Sequence, residues 1–390
     1  MSSGQKLFLG FLSLAACTLL AAVAYLGAQT YGFYAQRPLG PALSLPSTTP
    51  WSLPATWTAS PPAMTQTLIL GGQPAATSQV LVPATNTPNF TPRCGGPVVM
   101  NLLVVGSDQR SNSYLYGLGD VIRLVRVDFV TPKVSVLEFP RDLWVEIPDI
   151  ADNINGQDHE KLNQAYLYGN RGFGYTDDPA EGPGLMARTL ALNFGVQLDH
   201  YVGVNMRTFE NVVDAVDGID VNLEHTIDGR TSEDRSSRLL FLKGPHHLTG
   251  EKALTLARIR IDGVFSRADN QDVVLCALRE KLARPDIVTQ IPELIASFRD
   301  NIQTDLSPEQ IAQLACAGPQ LAPGNIVFAS FPEELFTPAR MYDPVFKKNL
   351  FIWNVDFAVL RDYVTRFQAG VWPSGPVAAP PGEAEPILCQ

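Results

Sequence analysis

The 390-residue chain carries 29 Lys and Arg against 39 Asp and Glu, a formal net charge of −10. Only 17% of its residues are charged, and the shortfall is local, since Lys6 and Arg37 are the only charged side chains before Arg93. That split excludes a chain that is disordered, collagenous or polytopic throughout, and the acidic balance argues against a general nucleic-acid binder.

Leu7 to Ala28 is an uncharged run of 22 residues, long enough to cross a hydrocarbon core of about 30 Å as a helix. Lys6 before it and Arg37 after it favour an N-in, C-out orientation. The expectation is a cytoplasmic tip over 1–6 and one transmembrane helix over 7–28. Leu14-Ala15-Ala16-Cys17 also fits a lipoprotein box, and Ala22-Val23-Ala24 a signal-peptidase site. All three readings place the rest of the chain outside the cytoplasm. Residues 41–93 hold 25 Pro, Ser or Thr among 53 positions, so 29–93 reads as an extended stalk that holds a domain away from a membrane. Asn89-Phe90-Thr91 fits a glycosylation sequon.

From there the pattern becomes that of a folded domain. Val98–Val105 is nearly continuously apolar, as in a strand covered on both faces. A polar loop over 106–119 follows. Val121–Val130 and Val134–Phe139 flank Thr131-Pro132-Lys133 and predict a hairpin, with Arg123 either an edge residue or part of a site. Helices are predicted over Leu185–Phe194, stopped by Gly195, and over Arg207–Val216, ending before Gly218. Tyr201–Val204 and Ile219–Leu223 read as strands. Thr249 is placed to cap a helix over 250–257, and Arg267–Leu282 is amphipathic. Ser307-Pro308-Glu309-Gln310 is a capping box with Pro at N1, opening a helix that ends at Gly318. Ile326–Phe331 is a further strand, 174–184 and 228–238 read as loops, and 370–390 as a Pro-rich tail. The alternation predicts an α/β or α+β sandwich. Pairing Cys94 with Cys389 would staple the ends of the folded region and leave Cys276 with Cys316; buried free thiols are the other reading.

Phosphate-loop, zincin and Gly-x-Ser-x-Gly motifs are absent. What stands out is charge in costly places. Asp108 ends one apolar strand and Asp120 begins the next, so the two carboxylates can converge on Mg²⁺ or simply form Asx turns. Arg141 follows a strand within Pro140-Arg141-Asp142. Arg258 and Arg260 sit two apart at a helix exit and share a face if extended. Arg267 and Gln271 are one helical turn apart, and Lys161 and Asn163 lie close together. Each Arg taken singly suits a solvated surface. Together Arg141, Lys161, Arg258, Arg260 and Arg267, set against two metal-binding Asp, make a pyrophosphate site.

In this order the segments resemble the LytR-CpsA-Psr family of envelope proteins: "NLLVVGSDQR", "GLGDVIRLVRVDFVTPKVSVLEFPRDLWVEIP", "KLNQAYLYG", "DHYVGVNMRTFENVVDAVDGIDVNL", "GPHHLTGEKALTLARIR" and "FSRADNQ". The resemblance implies an α/β fold around a curved central sheet flanked by helices, with an apolar cavity for a polyprenyl chain. It assigns 94–331 to the catalytic domain and 332–369 to its extension. The implied activity is a membrane-anchored, Mg²⁺-dependent phosphotransfer that moves a glycopolymer from a polyprenyl-pyrophosphate carrier to a peptidoglycan hydroxyl, with pyrophosphate hydrolysis as a side reaction. By motif, Asp108 and Asp120 hold the metal. Arg141, Arg258, Arg260, Arg267 and Gln271 clamp the pyrophosphate with Lys161 and Asn163 nearby, and Asp108 is the candidate for the proton. The chain departs from the family pattern at Gly119 and Val121, which flank Asp120 in place of Ser and Thr. It departs also at Asn270, where a second Arg is usual, and at Arg123, where an apolar residue is usual. These departures motivate an alternative, a non-catalytic binder or regulator acting on polyprenyl-linked lipids.

Overall fold

The computed structural model describes residues 35–45, 91–110, 114, 116–260, 264–282, 284, 302–373 and 387–388. The apolar run over 7–28, both processing motifs within it and Asn89 lie outside the described residues. Among the described residues no helix is long and apolar enough to cross a membrane.

In chain order the elements are β1 (Val99–Ser107), β2 (Gly119–Asp128), β3 (Lys133–Glu138), β4 (Trp144–Glu146), β5 (His159–Lys161), α1 (Leu162–Tyr168), α2 (Glu181–Phe194) and β6 (His200–Asn205). There follow α3 (Met206–Ala215), β7 (Ile219–Leu223), β8 (Ile227–Asp228), β9 (Leu240–Phe241), β10 (Gly244–Leu248), α4 (Gly250–Arg258) and α5 (Val264–Leu282). The last are β11 (Ile302–Thr304), α6 (Pro308–Ala317), β12 (Ile326–Ser330), β13 (Thr337–Asp343), β14 (Lys348–Asn354), α7 (Phe357–Gln368) and β15 (Ile387–Leu388). The central sheet has seven strands in the order β11-β6-β1-β2-β3-β12-β15. β1 pairs with β2 antiparallel and with β6 parallel, and β3 pairs with β12 parallel.

Strand alternation divides the side chains between two faces. Leu103, Val105, Ile122, Leu124 and Leu137 pack on one face against Tyr166 of α1, Leu185, Met186 and Leu190 of α2, and Leu360, Val364 and Phe367 of α7. On the other face Met100, Leu102 and Val127 meet Ile311 and Leu314 of α6, while Val136 and Phe328 meet Leu275 of α5. A third cluster, with Val213, Val221, Leu256, Ile259 and Val274, joins α3, β7, α4 and α5. Both faces of the sheet are covered, which is why its central strands read as continuous apolar runs.

Several local readings hold in detail. Ser307 accepts from Gln310 N and Gln310 returns the bond to Ser307 N, with Pro308 at the first helical position. Gly195 ends α2 in the left-handed region at φ 72°, where a Cβ is costly. Others need correction. Thr249 occupies the N-cap of α4 but its side chain makes no cap bond; Gly250 N–H donates to Asp214 of α3 at 2.7 Å instead. The loop expected over 174–184 already turns helical at Glu181. Within the expected Pro-rich tail, Ile387 and Leu388 pair with β12 and add the outer strand. Residues 332–369 contribute α7 to the main core.

The disulfide expectation is overturned. Cys94 bonds to Cys316, not Cys389, and Cys276, also disulfide-bonded, therefore does not pair with Cys316. The turn carrying Cys94 packs against α6, where Cys94 sits beside Ile311 and Leu314 and Gln313 donates to Gly95 O at 3.0 Å. The stalk reading also changes at its start. Leu39 N–H donates to Leu306 O at 3.1 Å, Tyr201 donates to Pro41 O at 3.1 Å, and Leu43 and Leu45 pack against the main core. The domain is thus gripped from residue 39 rather than first from residue 94.

Candidate functional site

The register of β1 and β2 brings the two Asp together. Gly106 pairs with Val121, and after an irregularity Ser107 pairs with Gly119, so Asp108 and Asp120 lie at one end of the sheet. Asp108 N–H donates to Leu118 O at 3.0 Å, and Leu118 N–H donates to Asp108 Oδ1 at 2.7 Å. Burial pushes the Asp108 carboxyl above the ordinary range; the Leu118 hydrogen bond opposes this, and the Asp120 charge adds to it. Weaker opposing pulls come from Arg141 and Arg258, which places both guanidinium groups in the same field.

Arg141 Nη1 donates to Asp120 Oδ1, and its Nε lies 3.4 Å from Asp142 Oδ2. Asn163 Nδ2 donates to the same Asp120 oxygen at 3.3 Å. Arg267 Nη2 donates to the Asp120 carbonyl at 2.7 Å, with Nη1 3.9 Å from its carboxylate. The start of α1 is tied to the loop after β3 by Leu162 N–H to Leu143 O at 2.8 Å and Asn163 N–H to Arg141 O at 3.1 Å. This backbone splice explains why Lys161 and Asn163 reach a loop some twenty residues earlier.

Arg258 and Arg260 are exposed on either side of buried Ile259, whose extended backbone has φ −64° and ψ 135°. They share one face, as their spacing predicts, and among the described residues neither forms an ion pair. Burial lowers the pKa of Arg260, with Arg141 the next cause. Burial likewise lowers that of Arg267, followed by Arg260 and Arg141. The cations depress one another, so the pocket carries positive charge that an anion would relieve. Nε of Arg141, Nε of Arg267 and Oδ1 of Asn163 are buried without a hydrogen-bond partner among the described residues.

Lys161 and Gln271 each hold a partner within the protein. Lys161 Nζ lies 2.7 Å from Asp142 Oδ1, so its charge is shared with a carboxylate. Gln271 Nε2 donates to Ala257 O at 3.3 Å, and its Oε1 accepts from Arg123 at 3.2 Å. Sequence reasoning gave Asp142 no role, yet it is buried and joins Arg141 to Lys161. Its signal was adjacency to Arg141 directly after a strand. Arg123 is not an edge residue. It stands in a central strand with its charge met by Glu138 and Asp272.

Asp108 and Asp120 are the residues that would hold a divalent cation, and their carboxylate oxygens are donors of the kind Mg²⁺ takes. The mutual repulsion recorded at Asp108 is what a cation would relieve, so these residues fit the metal. A groove of about 560 Å³ is lined by Asp149, Asp152, Tyr175, Asp177, Asp178 and Arg188 among others. It is polar, unlike the apolar cavity expected for a polyprenyl chain.

The model of the LytR_cpsA_psr family matches residues 87–356. The chain belongs to this family. It is 27% identical over 215 residues to the polyisoprenyl-teichoic acid–peptidoglycan teichoic acid transferase TagU of Bacillus cereus, covering 54% of this chain and 62% of that protein. To TagV of Bacillus subtilis, which bears the same transferase name, it is 28% identical, covering 53% of this chain and 49% of that protein. To the regulatory protein MsrR of Staphylococcus aureus it is 26% identical, covering 55% and 58%. The chain thus spans about half to three-fifths of the length of these relatives. The crystal structure of B. subtilis TagV superposes with a TM-score of 0.53 at 23% identity, covering 70% of this chain and 96% of that one. Protein gbs0355 of Streptococcus agalactiae gives 0.54 at 19%, covering 74% and 92%. These likenesses establish the mixed α/β LytR-CpsA-Psr fold. They also let one departure be read physically: a Cβ at Gly119 would lie 3.0 Å from Tyr166 Cβ and 3.2 Å from Met186 Cε. Glycine here allows α1 and α2 to close on the strand end that carries Asp120.

Proposed function

We propose that this LytR-CpsA-Psr protein is a membrane-anchored, extracytoplasmic phosphotransferase. It moves a glycopolymer from a polyprenyl-pyrophosphate carrier to a sugar hydroxyl of peptidoglycan. The observation that supports this most is the cluster of Arg141, Arg258, Arg260 and Arg267 around Asp108 and Asp120, in which Arg258 and Arg260 lack carboxylate partners among the described residues. The relatives' names give the substrate class.

In the proposed reaction the acceptor hydroxyl attacks the glycopolymer-bearing phosphorus. A new P–O bond forms, the P–O bond to the carrier phosphate breaks, and polyprenyl phosphate leaves with the electron pair. The hydroxyl proton passes to Asp108, the carboxylate directly after the end of β1. Arg258 and Arg260 meet the charge that develops on the leaving phosphate, and Arg141 and Arg267 hold the bridging region. Asp108 and Asp120 are the residues that would hold Mg²⁺, whose contribution is to neutralise pyrophosphate charge.

The test is incubation of the full chain with a polyprenyl-pyrophosphate glycan, a peptidoglycan oligomer and Mg²⁺. Release of polyprenyl phosphate with formation of a phosphodiester supports the reading. Carrier bound without turnover supports the regulatory alternative, for which the similarity to MsrR speaks. Water as acceptor would reduce the activity to pyrophosphate hydrolysis.

A further inference from the structure

Arg123 is 3% exposed in a central strand, three residues beyond Asp120. It donates to Glu138 Oε2 at 2.7 Å across the β2–β3 ladder, and to Asp272 Oδ1 at 2.5 Å and Gln271 Oε1 at 3.2 Å on α5. A guanidinium bonded to the amide oxygen fixes which way that amide faces. Gln271 must therefore present its nitrogen to Ala257 O, 3.3 Å away. This carbonyl is among the last four of α4, which have no partner within the helix. The neighbouring amide acts alike: Asn270 Nδ2 donates to Ile259 O at 3.3 Å. Two consecutive amides of α5 thus hold the carbonyls that bracket Arg258, and the second immediately precedes Arg260. Positions 267, 270 and 271 share one helical face, so one face of α5 grips the Asp120 backbone through Arg267 and the arginine strap through Asn270 and Gln271.

We propose that Arg123 is a positioning residue: through Gln271 it fixes the end of α4 and so sets where Arg258 and Arg260 present their guanidinium groups. The two departures at Arg123 and Asn270 are then parts of one device, in which an amide holds the strap where a second arginine is usual. This proposal rests on the phosphotransferase reading for its kinetic consequence, but its structural consequence stands apart.

Removing Arg123 alone would leave the buried carboxylate of Asp272 and the half-buried one of Glu138 without this partner and risk the fold. The test therefore replaces the whole ion triad by apolar residues, Arg123→Leu with Glu138→Leu and Asp272→Leu, an exchange proteins often tolerate. Gln271→Met is the companion variant. Hydrogen exchange over residues 256–261 and transfer kinetics are measured on the full chain. Both variants are expected to keep cooperative unfolding, to speed exchange in that segment, and to lower kcat by about 10- to 100-fold with little change in KM. Combining them is expected to add no further loss. Unchanged exchange in the triad variant overturns the proposal. So does a Gln271→Met loss that adds in full to the triad loss, because Gln271 would then act on substrate independently. If the wild-type chain shows no transfer, the functional reading fails, while the exchange measurement still decides the positioning role. If the triad variant does not fold, exchange in Gln271→Met decides it: faster exchange supports the role and wild-type exchange overturns it.

Discussion

Glu160, next to Lys161 on β5, offers a prediction whose size can be worked out. Glu160 and Asp343 are both 0% exposed. Asp343 Oδ1 accepts from Val345 N–H at 2.7 Å and Phe346 N–H at 3.0 Å, and among the described residues no cation pairs with Asp343 Oδ2. A hydrogen bond between the two carboxyls, which needs a proton on Glu160, joins the β13–β14 hairpin to the strand beside the site. Burial, followed by the Asp343 charge and the bond to Asp343, pushes Glu160 from 4.5 up to about 8, against weaker pulls from Lys161. The folded state therefore holds a proton that the unfolded chain releases near pH 4.5. Its stabilising effect is complete below that pH and is lost as pH rises towards 8. At about 1.4 kcal/mol for each pH unit the ceiling is near 5 kcal/mol, and relaxation of the site brings it to about 2–3 kcal/mol. For a domain of this size that is a fall of roughly 5–10 °C in melting temperature. Glu160→Gln keeps a neutral donor to Asp343 and cannot ionise. Thermal unfolding of both proteins from pH 5 to pH 9 is expected to give nearly equal values at pH 5 and a gap that opens towards pH 8 in favour of the variant. Parallel curves would refute the proton on Glu160.

Other substitutions probe the site and its frame. Asp120→Asn removes the charge that holds Arg141 and is expected to lower transfer by about 10²- to 10³-fold with unfolding still cooperative, measured by carrier phosphate release beside circular dichroism. Cys94→Ser with Cys316→Ser opens a bridge that spans 222 residues and is expected to cost about 3–5 kcal/mol in denaturant titration. Ser307→Ala removes the reciprocal cap of α6 and is expected to cost about 1 kcal/mol by the same measurement.

Much of the site was legible because strand ends announce themselves. Asp108 and Asp120 terminate apolar runs on either side of a loop, and a short hairpin after the second run carries Arg141 back to them. Arg258 and Arg260 were legible from spacing, because an apolar residue between two charges reads as an extended segment with one buried side chain. Partnership at long range was not legible. Nothing near Arg123 in sequence shows that its charge is met by Asp272, 149 residues away, or that Gln271 donates its amide to the Ala257 carbonyl. The Cys94–Cys316 bond, the docking of residues 39–45 and the outer strand at Ile387 each depend on where a terminal segment meets a surface that local pattern does not describe. Thr249 fails as a cap for a related reason: Asp214, from the preceding helix, already supplies the acceptor.

Phosphotransfer by this chain is proposed to depend on the guanidinium groups of Arg258 and Arg260, which form no ion pair among the described residues. Its most direct measurement is single-turnover release of polyprenyl phosphate from a glycan-linked carrier, with peptidoglycan oligomer and Mg²⁺, by the wild-type chain and by Arg258→Ala/Arg260→Ala. Release coupled to phosphodiester formation is expected in the wild type, and at least about a hundredfold slower release in the variant. Equal rates in both proteins would contradict it.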